Sequence, residues 1–306
     1  MAPGFPGGVN DTWRTASGQA RRRFGPSAAS PRFHVDEPRQ ALQGSPTLPD
    51  VLSNRIIAYD RIGKSRPHRQ GTMIEFGHIS HVGLRRELNE DTYYGDSELG
   101  LWLVADGMGG HACGEVASAL ARETIVREIR DGTPLAQAIR IADEEIIRTS
   151  RRRNDTLPMG TTVVAARIQG NRFEVAWVGD SRAYLWREGQ LAQLSQDHSY
   201  VQELIAQGAL TSEQARTHPH RNVVTQALGV TDPNHLNVET MTGELRPGMQ
   251  LLLCSDGLTE EVDDPSIAAT LKHDDCSAQE CVDTLIAAAL DGGGSDNVTA
   301  ILVRCH

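Results

Sequence analysis

Apolar positions in residues 74–304 follow two periods, which predict short strands and amphipathic helices in an ordered succession. The predicted strands cover residues 74–82, 92–94, 101–105, 161–168, 173–179, 183–186, 250–255 and 298–304. The predicted helices cover residues 116–130, 135–149, 199–207 and 278–290, whereas residues 212–221 are polar and irregular. Strands in hairpins, with the helices grouped in pairs, favour an α+β fold built on antiparallel sheets.

The first 72 residues differ in composition from the rest of the chain. They are rich in Pro, Gly, Ser and Arg and show no sustained apolar period. We therefore expect residues 1–72 to form a disordered extension, followed by one domain over residues 73–306. Met73 stands where the structured pattern begins, so a translation start at Met73 is an alternative to one at Met1.

Charge is distributed unevenly along the chain. The net charge is −10, but residues 1–72 carry 11 Lys and Arg against 5 Asp and Glu, and the remainder carries 19 against 35. An acidic domain argues against nucleic acid as a partner. No apolar run approaches the roughly 20 residues of a membrane span. The 5 cysteines lack paired or metal-ligand spacing, which indicates reduced thiols and a cytoplasmic protein.

Carboxylates recur beside glycine or at the ends of apolar runs. The candidates are Glu90, Asp91, Asp106, Asp180, Asp256 and Asp296. Taken singly, such an aspartate is most often a turn former or a helix cap. Taken together, hard oxygen ligands from distant parts of the chain indicate Mg²⁺ or Mn²⁺ rather than zinc.

These residue types suit the chemistry of phosphate esters. Two divalent ions about 4 Å apart can polarise a phosphoryl oxygen and activate a water. Asp106 is the candidate for the ligand shared by both ions, and Gly107 has no side chain to keep its carbonyl from a metal. Asp256 and Asp296 would supply further negative charge. Arg86 is the candidate for binding the phosphate, because a planar guanidinium can contact two phosphate oxygens at once.

Eight motifs in order resemble one known family. They are RELNED at 86–91, ADGMGGH at 105–111, GTT at 160–162, VGDSR at 178–182, DHS at 197–199, NVVTQALG at 222–229, SDGLT at 255–259 and SDNVT at 295–299. Any one of them is weak, but their order and spacing over residues 74–304 are similar to the PPM/PP2C family of metal-dependent protein serine/threonine phosphatases, in its bacterial form.

The resemblance implies a four-layer αββα sandwich, in which two antiparallel sheets are flanked by helix pairs and the metals lie at one end. It implies two Mn²⁺ or Mg²⁺ ions, with Asp106 bridging them, the Gly107 carbonyl on one ion, and Asp256 and Asp296 on the other. Residues 199–221 would match a mobile flap beside the site.

Further roles also follow from the resemblance alone. Glu90 and Asp91 would hold metal-bound waters, Asp180 with Asp256 would hold a third ion, and Arg86 would bind the substrate phosphate. A metal-activated water would attack phosphorus without a phospho-enzyme.

Two candidates remain for the general acid that protonates the leaving oxygen. Met108 occupies the position where eukaryotic members have a histidine, and methionine cannot donate a proton. His111 is one candidate, and a metal-bound water is another.

The expected activity is hydrolysis of phosphoserine and phosphothreonine in proteins by a monomer, in opposition to a cognate serine/threonine kinase. One alternative is a catalytically silent module that binds phosphoproteins. A second is a phosphatase dedicated to a single regulator. A silent module usually lacks one of the metal-binding carboxylates, and none is missing here, whereas a dedicated phosphatase would have the same set of carboxylates.

Overall fold

The computed structural model describes residues 73–109, 113–153, 159–273 and 275–306. The extension predicted for residues 1–72 and the candidate acid His111 lie outside the described residues. The strands are β1 Ile74–His81, β2 Asp91–Asp96, β3 Leu101–Met108, β4 Gly160–Thr161, β5 Val163–Gln169, β6 Arg172–Val178, β7 Arg182–Arg187, β8 Gln190–Gln193, β9 Glu239–Glu244, β10 Gln250–Cys254 and β11 Val298–Cys305. The helices are α1 Cys113–Arg130, α2 Leu135–Arg153, α3 Tyr200–Ala206, α4 Ser212–Arg216, α5 Asp256–Thr259, α6 Asp264–Leu271 and α7 Ala278–Gly292.

Two antiparallel sheets form the centre of the fold. The first has the strand order β1-β11-β10-β7-β8, and the second has the order β2-β3-β5-β6-β9 with the short β4 paired to β3. Within the first sheet β11 lies between β1 and β10, so the last described strand pairs with the first. The predicted α+β class with antiparallel sheets is confirmed.

Alternating side chains along the strands build three apolar layers. Between the sheets, Trp102 and Val175 of one sheet pack in the same cluster as Leu251 and Ile301 of the other. On the outer face of the second sheet, α1 and α2 bury the apolar side of each helix. On the outer face of the first sheet, α5, α6 and α7 do the same. The four-layer sandwich follows from these three layers.

Several elements differ from the sequence prediction. The strands β8 and β9 were not predicted. Both are edge strands whose side chains are mostly exposed, so their sequences show no apolar alternation. The prediction that residues 212–221 are irregular is wrong for Ser212–Arg216, a short helix with a capping box at Thr211. The helix Asp264–Leu271 was missed although Asp263 caps it and proline stands in its first turn.

None of the helices in the described part of the chain combines the length and the apolar character that a membrane crossing needs. All five cysteine thiols are free, and those of Cys113, Cys254, Cys281 and Cys305 are buried.

Candidate active site

Five aspartates from separate segments converge at one end of the sandwich. Asp91 opens β2 and pairs in register with Asp106, near the end of β3. Asp180 follows β6, Asp256 opens α5 directly after β10, and Asp296 precedes β11. Because antiparallel pairing brings the start of one strand beside the end of the next, residues far apart in sequence meet at this end.

The burial and close approach of these carboxylates raise their pKa values. Removal from water raises the pKa of Asp106 well above its ordinary range, and the negative charges of Asp91, Asp256 and Asp180 raise it further. Burial, followed by the charge of Asp256, likewise raises the pKa of Asp180. Without a bound cation, these carboxylates therefore tend to hold protons and do not all ionise together.

Asp91 is the most deeply enclosed acid on β2. Burial raises its pKa to about 7, with further contributions from the charges of Asp256 and Asp296. Its Oδ2 accepts a hydrogen bond from Ser255 Oγ at 2.8 Å, and Ser255 Oγ in turn accepts one from the Thr299 backbone N–H at 2.9 Å. Its Oδ1 is buried without a hydrogen-bond partner, as is Oδ1 of Asp256. Two such oxygen atoms in one acidic cluster are suited to a cation.

Arg86 lies at the rim of the cluster. Its Nη2 donates to Asp296 Oδ2 at 2.6 Å, and the Arg86 side chain keeps 51% of its surface exposed. The neighbouring charges of Asp296, Asp106 and Glu90 raise the pKa of Arg86 against the opposing effect of its partial burial. Spacing alone favoured Arg86 over Arg85, and the structure brings Arg86 to the carboxylates.

The backbone around Asp106 is held by a pair of threonines. The Asp106 carbonyl accepts from the Thr162 N–H at 2.8 Å and from Thr161 Oγ1 at 2.8 Å. The Asp106 N–H donates to Thr162 Oγ1 at 3.2 Å, and that hydroxyl also shares a hydrogen bond with Ser181 Oγ at 2.7 Å. The GTT motif thus fixes the backbone of Asp106, a role that sequence reasoning did not assign.

Gly107 is required by close packing. A side chain there would collide with the Gly114 carbonyl in α1 and with the Glu90 carbonyl. The Glu90 carbonyl accepts from Ser118 Oγ at 2.6 Å, and the Glu90 side chain accepts from the Gly114 N–H at 3.2 Å. These contacts hold the start of α1 against the segment that precedes Asp91. Sequence reasoning explained the glycine only by access of its carbonyl to a metal.

Asn297 joins two segments of the site, and sequence reasoning missed it. Its Nδ2 donates to the carbonyls of Val82 and Leu88 at 3.0 and 2.9 Å. Its Oδ1 accepts from the Glu90 N–H at 2.8 Å, while its own N–H donates to Asp296 Oδ1 at 2.8 Å. The loop that carries Arg86 is thereby fixed to the segment that carries Asp296. The signal was present in the SDNVT motif, where an asparagine, Asn297, directly follows Asp296.

Asp180 lies in a turn held by His198. The Gly179 N–H donates to His198 Nδ1 at 3.1 Å, and the His198 N–H donates to the Gly179 carbonyl at 2.9 Å. Gly179 has a φ of +106°, a backbone conformation that would be strained in a residue with a side chain. The residue before His198, Asp197, accepts Nε and Nη2 of Arg182 at 2.6–3.0 Å. The DHS motif therefore supports the Asp180 turn from the neighbouring segment.

The predicted flap contains α3 and α4 and a small ring cluster. Tyr200, His218 and His220 lie with ring centroids 5.6–6.1 Å apart. The positive charge of Arg221, at the end of this segment, lowers the pKa of Glu260, which follows α5 directly. Burial and the charge of Asp256 nevertheless raise the pKa of Glu260 to about 7. The segment therefore borders the carboxylate cluster.

The donor set suits hard divalent cations because it consists of carboxylates. Among the described residues, no three His, Cys, Asp or Glu side chains stand in a ready ligand arrangement. Asp296 is instead paired with Arg86. The enclosed like charges and the two unpartnered oxygens fit cations better than they fit the protein alone. The individual ligand roles of Asp106, Gly107, Asp256, Asp296 and Asp180 stay predictions.

Comparison with known proteins identifies the family. Residues 84–273 match the family model described as Protein phosphatase 2C. The serine/threonine protein phosphatase PstP of Mycobacterium tuberculosis is 38% identical over 238 residues, which cover 75% of this chain and 45% of that protein. The serine/threonine phosphatase stp of Listeria monocytogenes is 38% identical over 212 residues, 66% of this chain and 83% of that protein.

A solved structure agrees with the sequence matches. The crystal structure of the catalytic domain of PstP in complex with two manganese ions has a TM-score of 0.68 and 35% identity, and the match covers 76% of this chain and 98% of that one. The fold is that of bacterial serine/threonine phosphatases of known structure. This chain belongs to the protein phosphatase 2C family, and the family resemblance read from its motifs is confirmed. It spans about 45% of the length of the mycobacterial relative.

Proposed function

We propose that this chain is a metal-dependent phosphatase that hydrolyses phosphoserine and phosphothreonine in proteins. The observation that carries the proposal is the cluster of enclosed aspartates, with unpartnered oxygens on Asp91 and Asp256, beside the half-exposed guanidinium of Arg86. Negative side chains alone would repel a phosphate. The cluster becomes a phosphate site only with cations between it and the substrate.

The ions proposed are two Mn²⁺ or Mg²⁺, supported by the two manganese ions in the PstP structure. Asp106, the Gly107 carbonyl, Asp256 and Asp296 would hold them, and Glu90 and Asp91 would bind their waters. Asp180 with Asp256 would hold a third ion. When bound, such ions neutralise charge on phosphate oxygens and make water more acidic.

Arg86 would bind and orient the phosphate. Its Nη2 is engaged by Asp296, which leaves other N–H groups on an exposed guanidinium to face a substrate. The Arg86–Asp296 contact also fixes the direction of the guanidinium. Phosphoryl transfer depends mostly on positioning and charge stabilisation, so this arrangement supplies what the chain itself must contribute.

The wider biological setting is also a proposal. We expect phosphoproteins as substrates, a serine/threonine kinase as the opposing enzyme, and a monomer in the cytoplasm. Met108 cannot donate a proton to the leaving oxygen. His111 and a metal-bound water therefore stay as the two candidates for the general acid.

The decisive experiment is phosphate release from a phosphothreonine peptide by the purified full chain. Turnover is measured with Mn²⁺, with Mg²⁺ and with EDTA, and Asp256→Asn is the matched control. We expect turnover that requires added metal and is lost in EDTA and in the variant. A folded protein that binds phosphopeptide but shows no turnover with either ion would support the silent binding module instead.

A further inference from the structure

Two glycines of the run at residues 292–294 lie against a carboxylate of the chain itself, that of Glu261. A Cβ added at Gly292 would lie 3.2 Å from Glu261 Oε2, and one added at Gly293 would lie 3.3 Å from both Glu261 oxygens. Glu261 Oε1 accepts from Ser295 Oγ at 2.6 Å and from the Ser295 N–H at 3.1 Å. A glycine-rich turn that could suggest a phosphate loop is thus filled by Glu261.

Glu261 links the two segments that carry Asp256 and Asp296. It is the second residue after α5, and its N–H donates to the Leu258 carbonyl at 3.3 Å within the turn that Asp256 opens. On the other side it holds Ser295, the residue before Asp296. The Glu261 side chain therefore connects the segment that carries Asp256 to the segment that carries Asp296.

The segment held by Glu261 is also the one against which the Arg86 loop packs. The Leu84 N–H donates to the Gly294 carbonyl at 2.8 Å, and a side chain at Gly83 would collide with the Asp296 carbonyl. Arg86 itself contacts Asp296. A shift of the segment 294–297 would therefore move both Asp296 and the loop that presents Arg86.

We propose that Glu261 is a positioning residue that sets the separation of Asp256 and Asp296 and so determines how tightly the site binds divalent cations. This inference rests on the proposed function, but cation binding measures it separately from turnover. Both hydrogen bonds to Ser295 use one oxygen, Oε1, so the amide of Glu261→Gln can keep them. Glu261→Ala removes both.

The chain offers a matched control at the far end of α7, the helix that leads to the Ser295 segment. At the start of α7, Glu280 Oε2 accepts from Ser277 Oγ and from the Ser277 N–H, both at 2.8 Å. The chemistry is the same as that of Glu261 with Ser295, but it lies at the opposite end of α7, about 18 Å away at 1.5 Å per residue. Glu280→Ala should therefore test the loss of a Glu–Ser pair as such.

The experiment measures Mn²⁺ binding to the full chain by calorimetry, together with KM and kcat for a phosphothreonine peptide. For Glu261→Ala we expect Mn²⁺ affinity to fall about 10- to 100-fold, the range for residues that support metal ligands. Glu261→Gln should stay within about 3-fold of the parent protein, and Glu280→Ala should not change Mn²⁺ affinity. Ser295→Ala, which loses only the hydroxyl hydrogen bond, should give an intermediate loss.

Unchanged Mn²⁺ affinity in a folded Glu261→Ala or Ser295→Ala variant overturns the positioning role and leaves the proposed function intact. Equal losses in Glu261→Ala and Glu280→Ala also overturn it, because the effect would then be general destabilisation. If Glu261→Ala does not fold, Ser295→Ala and Glu261→Gln decide the matter. If the parent protein binds Mn²⁺ without turnover, the proposed function fails, and the affinities still test the role of Glu261.

Discussion

Asp91 and Asp106 face each other across the pairing of β2 with β3, so two acids that repel occupy opposite positions in one strand pair. Like charges directly opposite each other destabilise a strand pair. The negative charge of Asp91 is accordingly one of the causes that raise the pKa of Asp106. The fold maintains this repulsion where a cation can relieve it.

One prediction concerns pH in the absence of divalent cations. The pKa of Asp91 is about 7 in the fold against an ordinary 3.8, so between these values the folded state holds a proton that the unfolded chain releases. The contribution of Asp91 to the free energy of unfolding should therefore fall as pH rises from about 4 to about 7. Thermal unfolding in EDTA from pH 5 to 8 should show a smaller decline in Asp91→Asn than in the parent protein. Equal pH dependence in the two proteins would refute the shift.

Added Mn²⁺ should reverse this trend. A cation binds the deprotonated carboxylates of the folded state, and it stabilises that state by mass action. The rise in melting temperature on adding Mn²⁺ should therefore be larger at pH 8 than at pH 5. A rise that is independent of pH would mean that the ion binds elsewhere.

Asp256→Asn should abolish most activity while the fold is retained. The substitution removes one carboxylate from the cluster, where the charge of Asp256 acts on both Asp106 and Asp180. A loss of about 3 kcal/mol in transition-state stabilisation corresponds to a rate more than about 100-fold lower. Circular dichroism should be unchanged, and calorimetry should show weaker Mn²⁺ binding. An unfolded variant would assign Asp256 a structural role instead.

Arg86→Ala should act mainly on KM for phosphorylated substrates. The guanidinium is half-exposed and would bind the phosphate in the ground state as well as later, and loss of such uniform binding raises KM more than it lowers kcat. Arg86→Lys should recover only part of the affinity, because lysine lacks the planar fork. Arg85→Ala is the neighbouring control. An unchanged KM in Arg86→Ala would place the phosphate contact on another residue.

Asp143 offers a test of a buried acid away from the cluster. It lies in α2 and accepts from the Gly229 N–H at 2.7 Å, and Gly229 has a φ of +81°. Its neighbour Leu228 pairs with Thr161, which holds the Asp106 carbonyl. Asp143→Ala should lower the free energy of unfolding by about 1–3 kcal/mol, while Asp143→Asn keeps the acceptor and should cost less. Urea unfolding measures both.

Removal of residues 1–70 should leave metal-dependent turnover unchanged, because the strands and helices of the site begin at Ile74. The comparison of kcat and KM between the full and shortened chains checks this. A lower kcat in the shortened chain would show that the extension contributes to the enzyme.

The sequence predicts the core of this fold well because its buried strands carry clear patterns. Trp102 and Leu251 lie in apolar runs that were recognised as strands, and both are fully buried. The edge strand β9 could not be predicted in this way, since its Thr240–Thr242 stretch is exposed and lacks a buried face to impose a pattern.

The candidate site was predicted in its acids and not in its supports. Asp106 and Asp256 stand beside glycine in motifs that can be read in order along the chain. Ser255 supports Asp91, and Asn297 and Glu261 hold the segment of Asp296, through contacts between residues 34 to 215 positions apart. Spacing in one sequence carries no record of such pairings, so they became visible only when the strands were placed side by side.

The position of β11 has a consequence for how the protein is made. This strand fits between β1 and β10, and residues 296 and 297 just before it complete the contacts of Arg86 and Glu90. During synthesis, a chain that has not yet reached residue 298 lacks a central strand of one sheet, and a chain that has not yet reached residue 294 lacks the segment that the Arg86 loop contacts. The proposed active site can therefore form only after the chain has extended more than 200 residues beyond β1.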